Sequence, residues 1–213
     1  MLQPTSGRGV GLNHMEEQTS SALRSDADIL RLAMRDAVGT SAGSFLRTVA
    51  DVDAEPPEYW ANEIRSSKWA VAQHGGKVVG IAAGKRPNPA LDSEDPATAR
   101  YIESVWVAPG LRRRRLGERL IKYLLTAEYL DNHYIRQFLL WVYVTNDPAM
   151  RLYEHIGFVP TQEMNVGDRT EIKYRLDFDP ELHTTIGLFA RGARRPDLLY
   201  RGVTYRVLGQ SES

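Results

Sequence analysis

The 213-residue chain contains no cysteine. That absence removes disulfides, zinc–thiolate sites, iron–sulfur clusters and any cysteine nucleophile, so the protein's chemistry uses no thiolate of its own. It also lacks any run of about 18 apolar residues, so no transmembrane helix is expected. Met1 to Ser20 has no apolar core of the kind a secretory signal needs, and a cytoplasmic location is the default that follows. Net charge is absent as well: 27 Lys and Arg balance 27 Asp and Glu. A neutral total argues against a surface built wholly for nucleic acid or anionic membrane. His14, His74, His133, His155 and His183 show no metal-ligand spacing, and no metal is expected.

What is present is a regular α/β pattern. Residues 1–20 read as a flexible leader, and Gly7-Arg8-Gly9-Val10-Gly11 within it follows no strand and so is no phosphate loop. Ala22-Leu23-Arg24 reads as a short strand, with Ser25 or Asp26 capping a helix that carries Ile29, Leu30, Ala33, Met34, Ala37 and Val38 on one face and ends at Gly39. Phe45–Val49 suggests a second helix, and Pro57 opens a third through Ile64. Trp69–Ala72 and Lys77–Ala83 flank Gly75-Gly76 as a hairpin. Arg86–Thr98 has no periodicity and is expected to be an exposed loop. Tyr101–Val107 reads as a strand and Leu116–Leu130 as a long amphipathic helix. Phe138–Val144 reads as a strand buried on both faces. Asn146-Asp147-Pro148 opens a helix that closes at Gly157. Phe158–Met164 and Glu171–Leu176 then make an antiparallel pair across Gly167-Asp168. Thr185–Phe189 and Val203–Leu208 have enough apolar content to pack, so residues 179–213 form an extension expected to lie on the domain.

Between Ala108 and Tyr123 the neutral chain places Arg112, Arg113, Arg114, Arg115, Arg119 and Lys122 against Glu118 alone. They surround the start of a helix, where unpaired backbone N–H groups and the helix dipole already favour an anion. A strand, a tight basic turn and a helix start together read as a phosphate cradle. A nucleic-acid binder would instead spread basic and aromatic residues over a face.

That stretch, Val105-Trp106-Val107 followed by Arg112 to Gly117, resembles the pyrophosphate-binding motif [Q/R]-x-x-G-x-[G/A] of the GNAT superfamily of acetyl-CoA-dependent N-acetyltransferases. Arg112 takes the first motif position and Gly117 the last, while Arg115 stands where the family carries its middle glycine. Asn146 to Phe158 resembles the later motif N-x-x-A-x-x-L-Y-x-x-x-G-F at Asn146, Ala149, Leu152, Tyr153, Gly157 and Phe158. The resemblance covers Leu23 to Leu176, within a domain expected to span residues 21–178. It implies a mixed, mostly antiparallel central sheet flanked by helices, with splayed parallel strands that admit the pantetheine arm of coenzyme A.

The resemblance also implies the site. Val105, Trp106 and Val107 line the arm; Arg112, Arg113, Arg114, Arg115, Leu116, Gly117 and Glu118 hold the pyrophosphate; Asn146, Ala149 and Tyr153 complete the coenzyme contacts. Tyr153 matches the tyrosine that protonates the leaving thiolate. Glu103 is the candidate base, acting directly or through water, because it precedes Val105 and Val107 by two and four residues and so shares their strand face. Glu154 is an alternative base that helix geometry turns away from Tyr153. Trp60, Trp69, Trp106 and Trp141 are core residues or walls of an acceptor pocket, Trp60 above all for the wall. The implied reaction is direct acetyl transfer from acetyl-CoA to a primary amine. The acceptor is a small molecule or a protein N-terminus or lysine; a non-catalytic coenzyme-A sensor is the competing reading. Trp141 stands where ribosomal-protein N-terminal acetyltransferases carry a glutamate, which favours a small molecule. Neither a nucleic acid nor a membrane is implied as a partner, and a homodimer is compatible with the pattern.

Overall fold

The computed structural model describes residues 10–179 and 202–210, with the side chains of the first helix described from residue 25 onward. Helix α1 runs Val10–Thr40, α2 Val49–Ala54 and α3 Pro57–Ser66. Strands β1 (Lys68–His74), β2 (Lys77–Lys85) and β3 (Ala99–Val107) follow, then α4 (Leu116–Asp131), β4 (Gln137–Tyr143) and α5 (Asp147–Ile156). β5 (Val159–Val166), β6 (Arg169–Asp177) and β7 (Val203–Val207) complete the sheet. Its order is β5-β6-β4-β3-β2-β1-β7, and every neighbouring pair is antiparallel except β3 with β4.

Two cores sandwich this sheet. On one face Leu116, Leu120, Ile121, Leu124 and Leu125 of α4, with Tyr153 and Ile156 of α5, bury Ile102, Leu140, Val142 and Tyr174. On the other face α1 and α3 supply Leu30, Met34, Val38, Trp60 and Ile64 against Val71, Ile81, Ala83 and Trp106. The alternation of apolar residues along each strand assigns them to these two layers.

Helix α1 differs from expectation. Ala22-Leu23-Arg24 is helix, not strand, and the helix already covers residues 10–20, which read as leader. Between Leu12 and Val38 there is neither glycine nor proline, so nothing interrupts the helix once its apolar face is docked. Asp26 caps nothing there. It accepts a hydrogen bond from Gly209 N (2.7 Å) and pairs with Arg206 (2.8 Å), tying α1 to the strand beside β1. The second helix is displaced as well: Phe45–Arg47 is extended loop, and α2 starts after Thr48, whose hydroxyl and Asp51 form a reciprocal capping box.

The remaining elements lie within a few residues of their expected places. The β1–β2 turn uses Gly75 and Gly76 at φ of 57° and 76°, as a tight hairpin requires. The Val203–Leu208 segment packs: Val203–Val207 is β7, the outer partner of β1. Thr185–Phe189 lies outside the described residues. Among those described, no helix is long and apolar enough to cross a membrane.

Candidate active site

Parallel β3 and β4 pair only at Ala99, Tyr101 and the residue between them, opposite Gln137–Leu139. Beyond that point Ile102–Val107 stay with β2 while Leu140–Tyr143 stay with β6. The central sheet therefore opens into a slot. The amide of Ala108 donates to Val79 of β2 (2.9 Å). By the strand's alternation the backbone groups of Val107 and Val105 then face the slot, and those of Trp106 face β2. Trp106 is thus removed from the expected coenzyme contacts. Its side chain is buried under α1, where Nε1 donates to Thr40 Oγ1 (3.0 Å).

The reason given for Glu103 also changes. Ser104 has φ 53°, and the β2–β3 register shifts between Ile81 and Ala83. This bulge reverses the alternation, so Ile102, Val105 and Val107 face α4 while Glu103 and Trp106 face the α1/α3 side. Glu103 does not share the face of Val105 and Val107. It lies beside the slot on the opposite side, where Lys85 Nζ is 3.4 Å from its Oε2. Bulges carry no signature in a lone sequence unless a glycine marks them, and Ser104 offered none.

At the mouth of the slot the basic turn has an unusual backbone. Arg113 and Arg115 both adopt the left-handed region, at φ 59° and 58°. Alternating conformations of this kind gather successive N–H groups into an anion-binding concavity. The amides from Arg113 to Glu118 donate to nothing among the described residues, and α4 has no side-chain cap. Arg113, Arg114 and Arg115 are exposed and form no ion pair among the described residues. Leu116 buries its side chain in the core and contributes only backbone. A Cβ on Gly117 would stand 3.1 Å from Leu152 and 3.6 Å from Val107, so glycine lets the start of α4 lie close to α5 and β3. Glu118 is partly neutralised: burial pushes its carboxyl up, but Lys122 at 2.8 Å more than reverses this and holds it below the usual range.

Arg112 is engaged elsewhere. Its Nε donates to the Val107 carbonyl (2.9 Å) and its terminal nitrogen to Ser41 Oγ (2.8 Å). It braces the turn and leaves phosphate to its neighbours and the backbone. Arg115, in place of the family's middle glycine, takes a left-handed conformation that costs a non-glycine residue about 1 kcal/mol or more. Arg115→Gly is expected to raise stability by about 0.5–1 kcal/mol in chemical denaturation. The same variant should flatten the salt dependence of coenzyme binding, since it deletes one cation from the mouth.

On the α4/α5 side of the slot, Asn146 caps α5 through Ala149 N (3.4 Å), and its Nδ2 donates to Ser44 Oγ (3.3 Å). Tyr153 is buried against Phe158 and Tyr174, with ring centroids 6.0 and 6.3 Å away. Burial pushes its hydroxyl well above the ordinary tyrosine range, so it stays protonated. Glu154 is exposed and accepts from Tyr174 Oη (2.8 Å). Burial and that contact together push the Tyr174 hydroxyl up to about 12.

On the other side, Trp60 is not a pocket wall: it is 1% exposed in the core beneath α1. Trp69 is equally buried. Trp141 is the half-buried tryptophan, at the level of Glu103 across the slot. Lys173 lies 5.5 Å from its ring and 2.5 Å from Glu94. Tyr101 Oη also donates to Glu94 (3.0 Å), so this one residue pins the Arg86–Thr98 loop to the sheet. No cluster of metal-ligating side chains occurs among the described residues.

The sheet thus parts between two parallel strands, with an uncapped, arginine-rich turn suited to an anion at the head of the following helix. The family model for the acetyltransferase (GNAT) family matches residues 33–158, and the chain belongs to that family. Solved structures share the fold at low identity. An acetyltransferase of the GNAT family from Streptococcus pneumoniae is 17% identical, with a TM-score of 0.59 over 73% of this chain and 95% of that one. A ribosomal-protein-alanine N-acetyltransferase from Brucella melitensis is 18% identical, with a TM-score of 0.58 over 73% and 96%. The protein yncA from Salmonella typhimurium, solved with its cofactor acetyl-CoA, is 19% identical, with a TM-score of 0.56 over 73% and 90%.

Proposed function

We propose that this chain is an N-acetyltransferase that moves the acetyl group of acetyl-CoA directly to a primary amine of a small molecule. The observation that carries this reading is the slot between β3 and β4. Its mouth is the uncapped, arginine-rich turn, Tyr153 lies on one face of the sheet, and Glu103 lies on the other. The amide groups of Arg113 to Glu118 and the arginine side chains would hold the pyrophosphate. Val105 and Val107 would hydrogen-bond the pantetheine arm as a missing strand does.

The acceptor approaches from the α3 side. Its ammonium gives a proton to Glu103, directly or through one water, and the freed amine forms the new N–C bond at the thioester carbonyl. The C–S bond then breaks, the thiolate takes its proton from the Tyr153 hydroxyl, and the second proton, lost by the nitrogen as it becomes an amide, returns to the Tyr153 oxygen directly or through water. Acid and base on opposite faces of the sheet keep the leaving sulfur and the entering nitrogen apart. With no cysteine in the chain, no cysteine acyl-enzyme intervenes. Trp141, beside the slot at the level of the base, gives the acceptor an apolar wall where the ribosomal-protein enzymes carry a carboxylate, which favours a small molecule over a protein N-terminus.

Isothermal titration with acetyl-CoA at low salt is expected to show one site that weakens as salt rises. A thiol-release screen with small amines, aminoglycosides, amino acids and peptides then identifies the acceptor. No coenzyme binding at low salt would remove the cradle; binding without release for any amine would favour a sensor.

A further inference from the structure

Lys85 ends β2 opposite Tyr101, and Tyr101 faces Leu139 in the last parallel pair before the strands part. Its side chain leaves the sheet at the apex of the slot, on the face that Glu103 occupies. Lys85 Nζ is 3.4 Å from Glu103 Oε2 and 3.2 Å from Glu63 Oε2 of α3. Burial would push this ammonium toward neutrality, but Glu103 and Glu63 more than reverse that and raise it above the ordinary lysine range. Lys85 is therefore a fixed cation, anchored by a helix on one side and holding a strand glutamate on the other.

Glu103 needs such a partner. Its side chain is 48% exposed, and no other ion pair or hydrogen bond restrains it among the described residues. A glutamate in that situation samples several rotamers, at a cost in entropy when one must be chosen. The chemistry of the restraint is specific. The chain has 22 arginines and 5 lysines, yet this position carries an ammonium. A guanidinium fork would engage both carboxylate oxygens, whereas a point charge takes one and leaves Oε1 available.

Among the described residues no other charged side chain pairs with Glu103. Below it on β3, Tyr101 is bonded to Glu94, and Glu94 is neutralised by Lys173 of β6. From β4 comes the uncharged Trp141, and from α3 comes Glu63, which is itself held by Lys85.

We propose that Lys85 is a positioning residue for the transfer: anchored by Glu63, it fixes the Glu103 carboxylate at the slot, with Oε1 directed to the acceptor's ammonium. This rests on Glu103 being the base, and the test separates the two. In protein labelled with 13C-glutamate, the Glu103 carboxyl signal is the one missing from Glu103→Gln. Its 13C relaxation should show greater side-chain mobility in Lys85→Met, because Lys85 is the one ion-pair partner of this carboxylate among the described residues. The mobility should return toward wild type in Lys85→Arg. Lys85→Gln serves in place of the methionine variant if that variant folds poorly. Mobility in Lys85→Met or Lys85→Gln that stays with wild type overturns the proposal without any acceptor being needed.

Thiol release from acetyl-CoA with the best amine of the screen adds the functional readout. Lys85→Met should lower kcat about tenfold with the acetyl-CoA KM unchanged, and should lower nothing further in a Glu103→Gln background, as coupled residues behave. An equal loss in both backgrounds marks a merely structural lysine and overturns the proposal. Full activity in Glu103→Gln removes the base, and the role of Lys85 with it, even where the mobility changes.

Discussion

Tyr153→Phe is expected to lower acetyl-CoA-dependent thiol release about 10²- to 10³-fold, within the range that positioned proton donors contribute, while leaving coenzyme affinity nearly unchanged. The substitution deletes one oxygen and keeps the ring, so the contacts with Phe158 and Tyr174 survive and thermal stability should change little. The size of the effect follows from the chemistry of the leaving group, which needs a proton as the C–S bond breaks. Tyr153 has that proton at every pH where the fold stands, because burial raises its ionisation far above neutrality. For the same reason its ionisation imposes no alkaline fall in rate near neutral pH; an alkaline limb there would have another source. Steady-state rates at several pH values, with affinity from titration, measure this. Unchanged turnover would make Tyr153 a packing residue only.

Gly84→Ala is expected to destabilise the protein by about 3 kcal/mol, the cost of breaking a buried ion pair. The sign is unusual, since replacing glycine within a strand ordinarily helps by roughly 0.5–1 kcal/mol. Here the Glu128 side chain crosses β2 over the bare backbone of Gly84, and an added Cβ would fall within the carboxylate. Glu128 is held there by Arg100 Nε at 3.1 Å, with both side chains almost wholly buried. Arg100 also donates to the carbonyls of Pro96 (2.7 Å) and Ala99 (2.6 Å), which fixes the guanidinium and denies it a second carboxylate position. Displacing Glu128 therefore strands a buried charge. Urea unfolding of wild type, Gly84→Ala, Glu128→Ala and the double variant forms a cycle. In the Glu128→Ala background the alanine should cost less than about 1 kcal/mol, as expected when one mutation removes the partner of the other. Equal costs in both backgrounds would contradict this account.

Motifs made the proposed coenzyme half of the site legible. The basic turn, Gly117, and the run from Asn146 to Phe158 sit at the start of α4 and along α5, because turn chemistry and helix starts are local properties. Local signals also located the hairpin at Gly75-Gly76 and the buried strand β4. The acceptor half was read less well, since it depends on long-range register. Ser104 turns one residue out of the β3 ladder and puts Glu103 on the other face. Lys85 and Glu63 meet Glu103 only once β2, β3 and α3 are assembled, and no spacing along the chain joins them. Trp60 illustrates the same limit: an aromatic residue on an amphipathic helix fits a pocket wall or a core until the helix is docked. In α1 the absence of glycine and proline between Leu12 and Val38 was the readable signal, and it outweighed the strand-like look of Ala22-Leu23-Arg24.

The tie between Asp26 and the segment around β7 bears on how the protein is made. Gly209 and Asp26 are separated by 183 residues, and β1 obtains its outer hydrogen-bonding partner only when Val203–Val207 arrives. During synthesis the β1 edge and the middle of α1 thus wait until the chain has emerged as far as Gly209. Closing so distant a contact is slow relative to forming the local hairpins and helices, and an unpaired strand edge is a template for another chain in the interval. The slot that reads as the catalytic centre lies two strands away from that edge, so the last piece of sheet to be placed contributes no chemistry but closes the layer on which β2, Lys85 and β3 are aligned.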